Sequence, residues 1–382
     1  MSTDILFLSR FNATCGVSTY TEQLSEALVD LGENVKVSAE DNERYRPSGE
    51  KSDVPCIGFW TSKRLHKGLP HLVEANPRVL HVQHEFGIFR DSSNLLELLS
   101  GFKKSRPSSK IVMTAHTVPP CFSSSDDLFL QAARLADSII VHSDSAKKAL
   151  LPHVCGIDPD RLSVIPHGMQ LPVERVSKRE AEKELGIGSD KDRLTVLSMG
   201  FLVRNKRHAS LLQLLSTIID RKMLVPKKLL LIIAGMPTPD NEGVQLLNQI
   251  KLAIKSYGLE SNVKLVPEFI PFSRLPVFYG ASDVSVRLCE KTFYSSSGGV
   301  RMDLSHGMPV AAQYAELTED LPPHAIKRMH ADVELLSFLP TVARNPEPLK
   351  KMAKAANAFA REHSWEKIAK RHQRLYEGLL SG

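Results

Sequence analysis

Basic side chains, histidines and glycine-rich turns recur where short apolar runs give way to amphipathic ones. The segment Ser198-Met-Gly-Phe-Leu-Val-Arg-Asn-Lys-Arg-His208 sets a glycine turn ahead of Arg204, Lys206 and Arg207. Guanidinium and ammonium groups so placed can neutralise a diphosphate, including one that departs as a leaving group. A second run, Ser295-Ser-Ser-Gly-Gly-Val-Arg-Met-Asp-Leu-Ser-His-Gly-Met-Pro-Val310, follows the apolar stretch Asp283–Leu288. It reads as a helix opened by small residues and closed at Gly307. Ser296, Ser297, Gly298 and Gly299 stand at its start, where backbone N–H groups are free and the helix dipole is positive. That is an anion site, and phosphate is a common occupant. The plain alternative is an ordinary serine-capped helix start. Phosphate-friendly chemistry at two strand ends favours the anion reading.

Other polar groups mark other strand ends. Gly16, in Cys15-Gly-Val-Ser-Thr-Tyr20, precedes a helical pattern and lets a backbone come close to a ligand. The run His81-Val-Gln-His-Glu-Phe-Gly-Ile88 offers His84 and Glu85 as ligand contacts. His116, in Thr114-Ala-His-Thr117, stands at a sheet edge and can hydrogen-bond a substrate hydroxyl. The G-x-G-x-x-G fingerprint is absent, which argues against nicotinamide and flavin chemistry, and His81 and His84 lack the spacing of a helical zinc motif. The plain reading of each lone histidine or glycine is structural.

Alternating elements must position these groups. Apolar runs at Ile5–Ser9, Val35–Ser38, Val79–Val82, Ile111–Ala115, Ser138–His142 and Leu162–Ile165 read as one series of strands. Leu194–Met199, Leu229–Ala234, Val263–Val266, Val284–Leu288 and Pro309–Ala312 form a second. Helical patterns at Tyr20–Leu31, Leu128–Leu135, His208–Asp220 and Gly243–Tyr257 lie between them. Such alternation implies α/β architecture with parallel sheets and right-handed crossovers. A polar stretch, Val173–Arg193, interrupts the series and reads as a link with a surface helix. The expected organisation is two doubly wound, Rossmann-like domains over 1–170 and 171–360, facing a central cleft, with ligands at the carboxyl ends of the strands. The end of the chain, Pro346–Leu380, is helical by pattern, with Trp365, Ile368, Leu375 and Leu379 in an apolar stripe.

The 382 residues suit two cores. A hydrophobic content of 42% with 24% charged residues fits a soluble enzyme. The net charge of +6 allows a nucleotide, a polyanion or an anionic membrane surface as partner and requires none of them. Five scattered cysteines without a C-x-x-C pair argue against a disulfide framework or zinc site and fit a reducing cytoplasm. No signal peptide is visible, and no apolar run reaches the roughly 18 residues that span a bilayer. The expected location is cytoplasmic, with peripheral membrane contact left open.

Taken in order, these segments resemble the retaining, nucleotide-sugar-dependent glycosyltransferases of GT-B architecture, in the large family that holds many mannosyl- and glucosyltransferases. The matching pieces are Cys15-Gly-Val-Ser-Thr-Tyr-Thr, Val82-Gln-His-Glu-Phe-Gly-Ile-Phe, Thr114-Ala-His-Thr, Val164-Ile-Pro-His-Gly, Gly200 to Lys206, Ala234-Gly and Ser297-Gly to Gly307-Met-Pro-Val. The ending, Ser364-Trp-Glu-Lys-Ile-Ala, resembles the family's last helix, which implies that 361–382 returns to the N-terminal domain. The resemblance implies a donor site in the C-terminal domain. Arg204 and Lys206 would grip the diphosphate, the N–H groups of Ser296, Ser297, Gly298 and Gly299 would add to it, and Gly16 would approach it. His116 would contact the transferred sugar, and His84 and Glu85 the acceptor. Glu268, in Val266-Pro-Glu-Phe269, belongs to a loop that would read the nucleotide.

The chain departs from the family at its Glu-x7-Glu pair. Counted back from Gly307, the second glutamate falls at Met302 beside Asp303, and the first near Tyr294. Glu290 and Asp303 are the stand-ins for sugar and ribose recognition, and Ser297-Gly298 marks a Ser-Gly sub-branch. The arginine that often follows the family's glycine corresponds to Phe201, which leaves Arg204 as its substitute.

The expected activity is transfer of a hexose from a UDP or GDP sugar to an acceptor hydroxyl with retention. The nucleotide sugar is a substrate, and no cofactor or metal ion is required. A glycan, a lipid-linked sugar or modified DNA is the acceptor class. Basic clusters at Lys63–Lys67 and Lys103–Arg106 keep open a nucleic-acid-binding protein, a DNA-base glucosyltransferase, or contact with anionic lipid. A sugar-nucleotide epimerase is the remaining alternative.

Overall fold

The computed structural model describes residues 4–41, 51–89, 92–119, 127–154, 158–171, 176–238, 240–289, 296–313 and 318–382. Its chain divides into two compact units. The first holds residues 1–168 and 363–382 with Ser296, and the second holds 169–292 and 297–362.

The first unit is built on a seven-stranded parallel sheet. Its strands are β1 (Asp4–Ser9), β2 (Asn34–Glu40), β3 (Cys56–Trp60), β4 (Val79–His84), β5 (Lys110–Ala115), β6 (Ser138–Val141) and β7 (Leu162–Val164), in the order β3-β2-β1-β4-β5-β6-β7. The helices are α1 (Gly16–Asp30), α2 (Leu69–Ala75), α3 (Ser92–Ser105), α4 (Asp127–Leu135) and α5 (Asp144–Leu150). Alternate residues of the strands feed two cores, as parallel strands covered on both faces must. Leu6, Leu8, Leu80, Val82, Ile111 and Met113 face a layer that includes Leu98, Phe102 and Phe129 of α3 and α4. Ile5, Phe7, Val79, Val112 and Ile140 face Tyr20, Leu24 and Leu28 of α1.

The second unit has a six-stranded parallel sheet. Its strands are β8 (Leu194–Met199), β9 (Leu229–Ala234), β10 (Val263–Val266), β11 (Val284–Arg287), β12 (Val310–Gln313) and β13 (Ile326–Met329), in the order β10-β9-β8-β11-β12-β13. The helices are α6 (Lys178–Leu185), α7 (His208–Asp220), α8 (Asn241–Ser256), α9 (Leu275–Gly280), α10 (Gly298–Ser305), α11 (Leu335–Arg344) and α12 (Glu347–Glu362). The chain runs outward from β8 through β9 to β10, then returns to the other side of β8 with β11. That reversal makes the β8/β11 edge the topological switch point, where open α/β sheets bind ligands.

The long helical pattern at the end of the chain is two helices. α12 stops at Glu362, and Ser364 caps α13 (Trp365–Ser381) by accepting from the N–H of Lys367. α13 returns to the first unit, where Trp365, Ile368 and Tyr376 join Tyr20 and Leu24 in the α1-side core. A Cβ on Gly168 would stand 2.2 Å from Cε3 of Trp365, so the glycine of Ile165-Pro-His-Gly168 is required by this close packing.

Two strands absent from the sequence reading, β3 and β13, are the outermost strands of their sheets. Each is short and part-exposed, as Ile326-Lys-Arg-Met329 shows, so neither carries the continuous apolar signal of a central strand.

Candidate functional site

The C-terminal ends of β8 and β11 bring a basic cluster together in the second unit. β8 leads into Gly200, whose φ of +119° suits glycine, and Gly235 after β9 has φ +150°. A Cβ on Gly235 would sit 2.0 Å from the Gly200 carbonyl oxygen, and one on Gly200 would sit 2.5 Å from Lys206 Nζ. The two glycines thus let neighbouring strand ends touch and leave room for the lysine. The chain then makes a single 3-10 turn, Arg204–Lys206, and Arg207, in the left-handed region, precedes α7 without a side-chain bond to its start.

Lys206 and Arg287 are the cations of the pocket. Arg287, the last residue of β11, donates from Nε to Asp303 at 2.6 Å, and also donates to the carbonyls of Met199 and Gly299. Asp303 is fully buried and accepts further bonds from Tyr279 at 2.9 Å and Ser285 at 2.7 Å. The carboxylate therefore fixes the guanidinium in one orientation. Lys206 is half-buried, and among the described residues its ammonium has no hydrogen-bond or ion-pair partner. Burial, then the neighbouring Arg287, pushes its ammonium down to about 7, against a smaller opposing pull from Asp303.

The start of α10 adjoins these cations, and Gly299 lies against Arg287 Nη1. The Ser297 hydroxyl accepts from the N–H of Val300 at 3.3 Å. Its side chain is thus a helix cap, the plain alternative named above, while the N–H groups of the exposed Gly298 and Gly299 are left without intrahelical partners. The Ser296 hydroxyl is buried and, among the described residues, has no hydrogen-bond partner.

Several expected donor residues stand elsewhere. Arg204 is exposed and pairs with Glu242 at 2.8 Å, so the basic partner of Lys206 is Arg287 instead. Asp303 is sealed in the core and orients Arg287, which is at odds with a direct ribose contact. Glu268 is exposed and accepts from Arg274 at 2.8 Å. Glu290 lies outside the described residues. Arg287 was missed because it closes an apolar run and reads as part of the strand. An arginine at the last position of a strand buried on both faces was the available signal.

In the first unit, Gly16 opens α1 with free space around it: an added Cβ would meet nothing within 4 Å. His116 follows β5. Its Nε2 lies 2.8 Å from Gln83 Oε1, and its Nδ1 lies 3.4 Å from His142 Nε2. The Tyr20 ring packs edge-on against it. Burial, then the nearby His167 and His84, pushes His116 down to about 3, so it is a neutral imidazole near pH 7. Glu85 accepts from the Thr117 hydroxyl at 2.6 Å, and burial raises its carboxyl above the ordinary range. His84 is fully buried against Phe86, Phe89 and Phe129. Burial pushes it down to about 3, and among the described residues neither ring nitrogen has a hydrogen-bond partner. That placement does not suit the expected acceptor contact. Strand alternation is the reason, since Gln83 and His84 face opposite ways.

Residues 14–171 match the family described as Glycosyltransferase Family 4. No curated protein sequence matches the chain. Among solved structures, a glycosyltransferase from Rickettsia africae has a TM-score of 0.76 at 14% identity, covering 100% of this chain and 99% of that one. A sucrose-phosphate synthase from Thermosynechococcus elongatus has a TM-score of 0.72 at 18% identity, covering 99% of each chain. The Anabaena protein HepE in complex with UDP has a TM-score of 0.73 at 15% identity, covering 98% of this chain and 100% of that one. These likenesses establish the fold as GT-B, two parallel-sheet α/β domains. The family domain at residues 14–171, on a chain with this fold, indicates a glycosyltransferase.

Proposed function

We propose that the protein transfers a hexose from a nucleoside diphosphate sugar to an acceptor hydroxyl with retention of configuration, and that the β8/β11 pocket binds the donor diphosphate. One observation carries this reading: a Lys206 ammonium that has no partner among the described residues, beside a rigidly held Arg287 and the open N–H groups of α10, all at the topological switch point. Such a pocket suits a diphosphate, whose negative charge grows as the glycosidic bond breaks. Groups already aimed at it stabilise that charge without reorganising. A uridine donor is favoured because HepE, of the same fold, was solved with UDP and with UDP-glucose. The chain's own groups suffice for charge neutralisation in this reading, so no metal ion is invoked. In the first unit, Glu85 and Thr117 form the polar pair offered to an acceptor, and His116 contributes a neutral imidazole. Neither the nucleic-acid nor the epimerase alternative gains support from the family match or the fold.

The test is a titration of UDP-, GDP- and ADP-sugars into wild type, Lys206→Ala and Arg287→Ala, with nucleotide release as the turnover signal and product anomers read by NMR. Binding and turnover should collapse in both variants. Undiminished donor binding in them would sink the assignment.

A further inference from the structure

His208, the first residue of α7, carries an anomaly that the fold does not require. It is 2% exposed, and among the described residues neither Nδ1 nor Nε2 has a hydrogen-bond partner. A buried polar group left unpaired is costly, and such groups in native structures call for an explanation. His84 is orphaned too, but its neighbours are phenyl rings. The groups that bear electrostatically on His208 are Lys206, two residues earlier, and Arg287 at the end of β11. Burial first, then these cations, keeps the imidazole neutral, with its proton affinity pushed down to about 3. A neutral imidazole among cations can still donate one N–H, and the Asp303 carboxylate beside those cations is already engaged by Arg287, Tyr279 and Ser285. The helix that His208 opens is 13 residues long, and among the described residues no side chain caps it. Its first N–H groups favour negative charge at the same place.

We propose that His208 is a third ligand-binding side chain of the pocket, donating a ring N–H to an anionic oxygen of a bound nucleoside diphosphate alongside Lys206 and Arg287. This rests on reading the second unit as the donor site. It adds a contact from α7 to those from the Arg204–Lys206 turn, β11 and α10, so the diphosphate is held from four sides of the cluster. The ligand would supply the missing partner of a group that destabilises the empty protein.

Calorimetric titration of UDP, UMP and uridine into wild type, His208→Leu and His208→Gln tests this, with melting temperatures of the empty proteins recorded in parallel. His208→Leu should bind UDP at least about tenfold more weakly, the loss expected for one hydrogen bond to a charged group. Its uridine affinity should stay unchanged, and its melting temperature without ligand should stay level or rise. His208→Gln, which keeps an N–H donor, should recover part of the UDP affinity. If wild type binds UDP and His208→Leu binds it equally well, the proposal for His208 is overturned while the donor site stands. A lower melting temperature with unaltered UDP affinity marks a structural imidazole and overturns it too. If wild type binds no nucleoside diphosphate, the donor reading itself fails, and the role of His208 with it.

Discussion

Donor affinity should depend on pH through Lys206, in a direction set by its surroundings. In the empty protein the ammonium is pushed down to about 7 by burial and by Arg287, so near pH 7 about half the molecules carry a neutral amine there. A diphosphate arriving beside it favours the charged form and draws the lysine back toward its ordinary range. Binding therefore takes up a proton. Below pH 7 the lysine is already charged and affinity is level. Above it, each pH unit should weaken binding by up to about tenfold, giving about a 100-fold loss between pH 6 and pH 9. Isothermal titration with UDP-glucose, at constant ionic strength and in buffers of different ionisation enthalpy, reads both the affinity and the proton count. About half a proton should be absorbed at pH 7 and nearly one at pH 8. Lys206→Arg, charged throughout, should flatten the profile. The lysine also holds fewer protons folded than unfolded, so stability of the empty protein should rise with pH from about 7 toward 10.5, and Lys206→Met should melt higher near pH 7. A wild-type affinity that stays flat from pH 6 to 9 would refute the reasoning.

Four further outcomes are expected. Asp303→Asn should lower stability by about 3–5 kcal/mol in denaturant melts, because it leaves the buried Arg287 uncompensated, and should weaken donor binding as well. Arg204→Ala should leave donor affinity within about twofold by titration, since an exposed pair of this kind contributes about 0–1 kcal/mol. His84→Phe should keep or raise the melting temperature and leave the acceptor KM unchanged, because it removes two unpaired nitrogens from an aromatic core. Gly168→Ala should cost about 1–3 kcal/mol of stability, measured by thermal melts, as its new methyl meets the Trp365 ring.

Central strands and the glycine turns that end them were legible because their signals are local. Leu229–Ala234 is apolar at every position, and the observed β9 has the same bounds. Lys206 stood out by following a glycine turn. What sequence could not rank was which cation joins it. Arg204 and Arg287 lie 83 positions apart by their numbering, and only strand order puts Arg287 beside β8, while a glutamate from α8 engages Arg204. Asp303 and His84 misled for one reason. Polarity marks a residue for chemistry but does not say which way its side chain points. One holds an arginine from inside, and the other sits among phenylalanines.

The return of α13 has a consequence for how the chain is made. Tyr376 bonds His81 across 295 positions, and Gln373 reaches Glu33 across 340, so the first unit is completed by residues translated after the whole of the second. Domains generally fold in order of emergence from the ribosome. Here the earlier-synthesised unit must wait, with Tyr20 and Leu24 lacking the Trp365 and Ile368 side of their core, until α13 is released. The second unit has no such debt to the future and can mature first. Nascent chains stalled before Trp365 should therefore protect the later-made unit from protease while the earlier-made one stays open to attack.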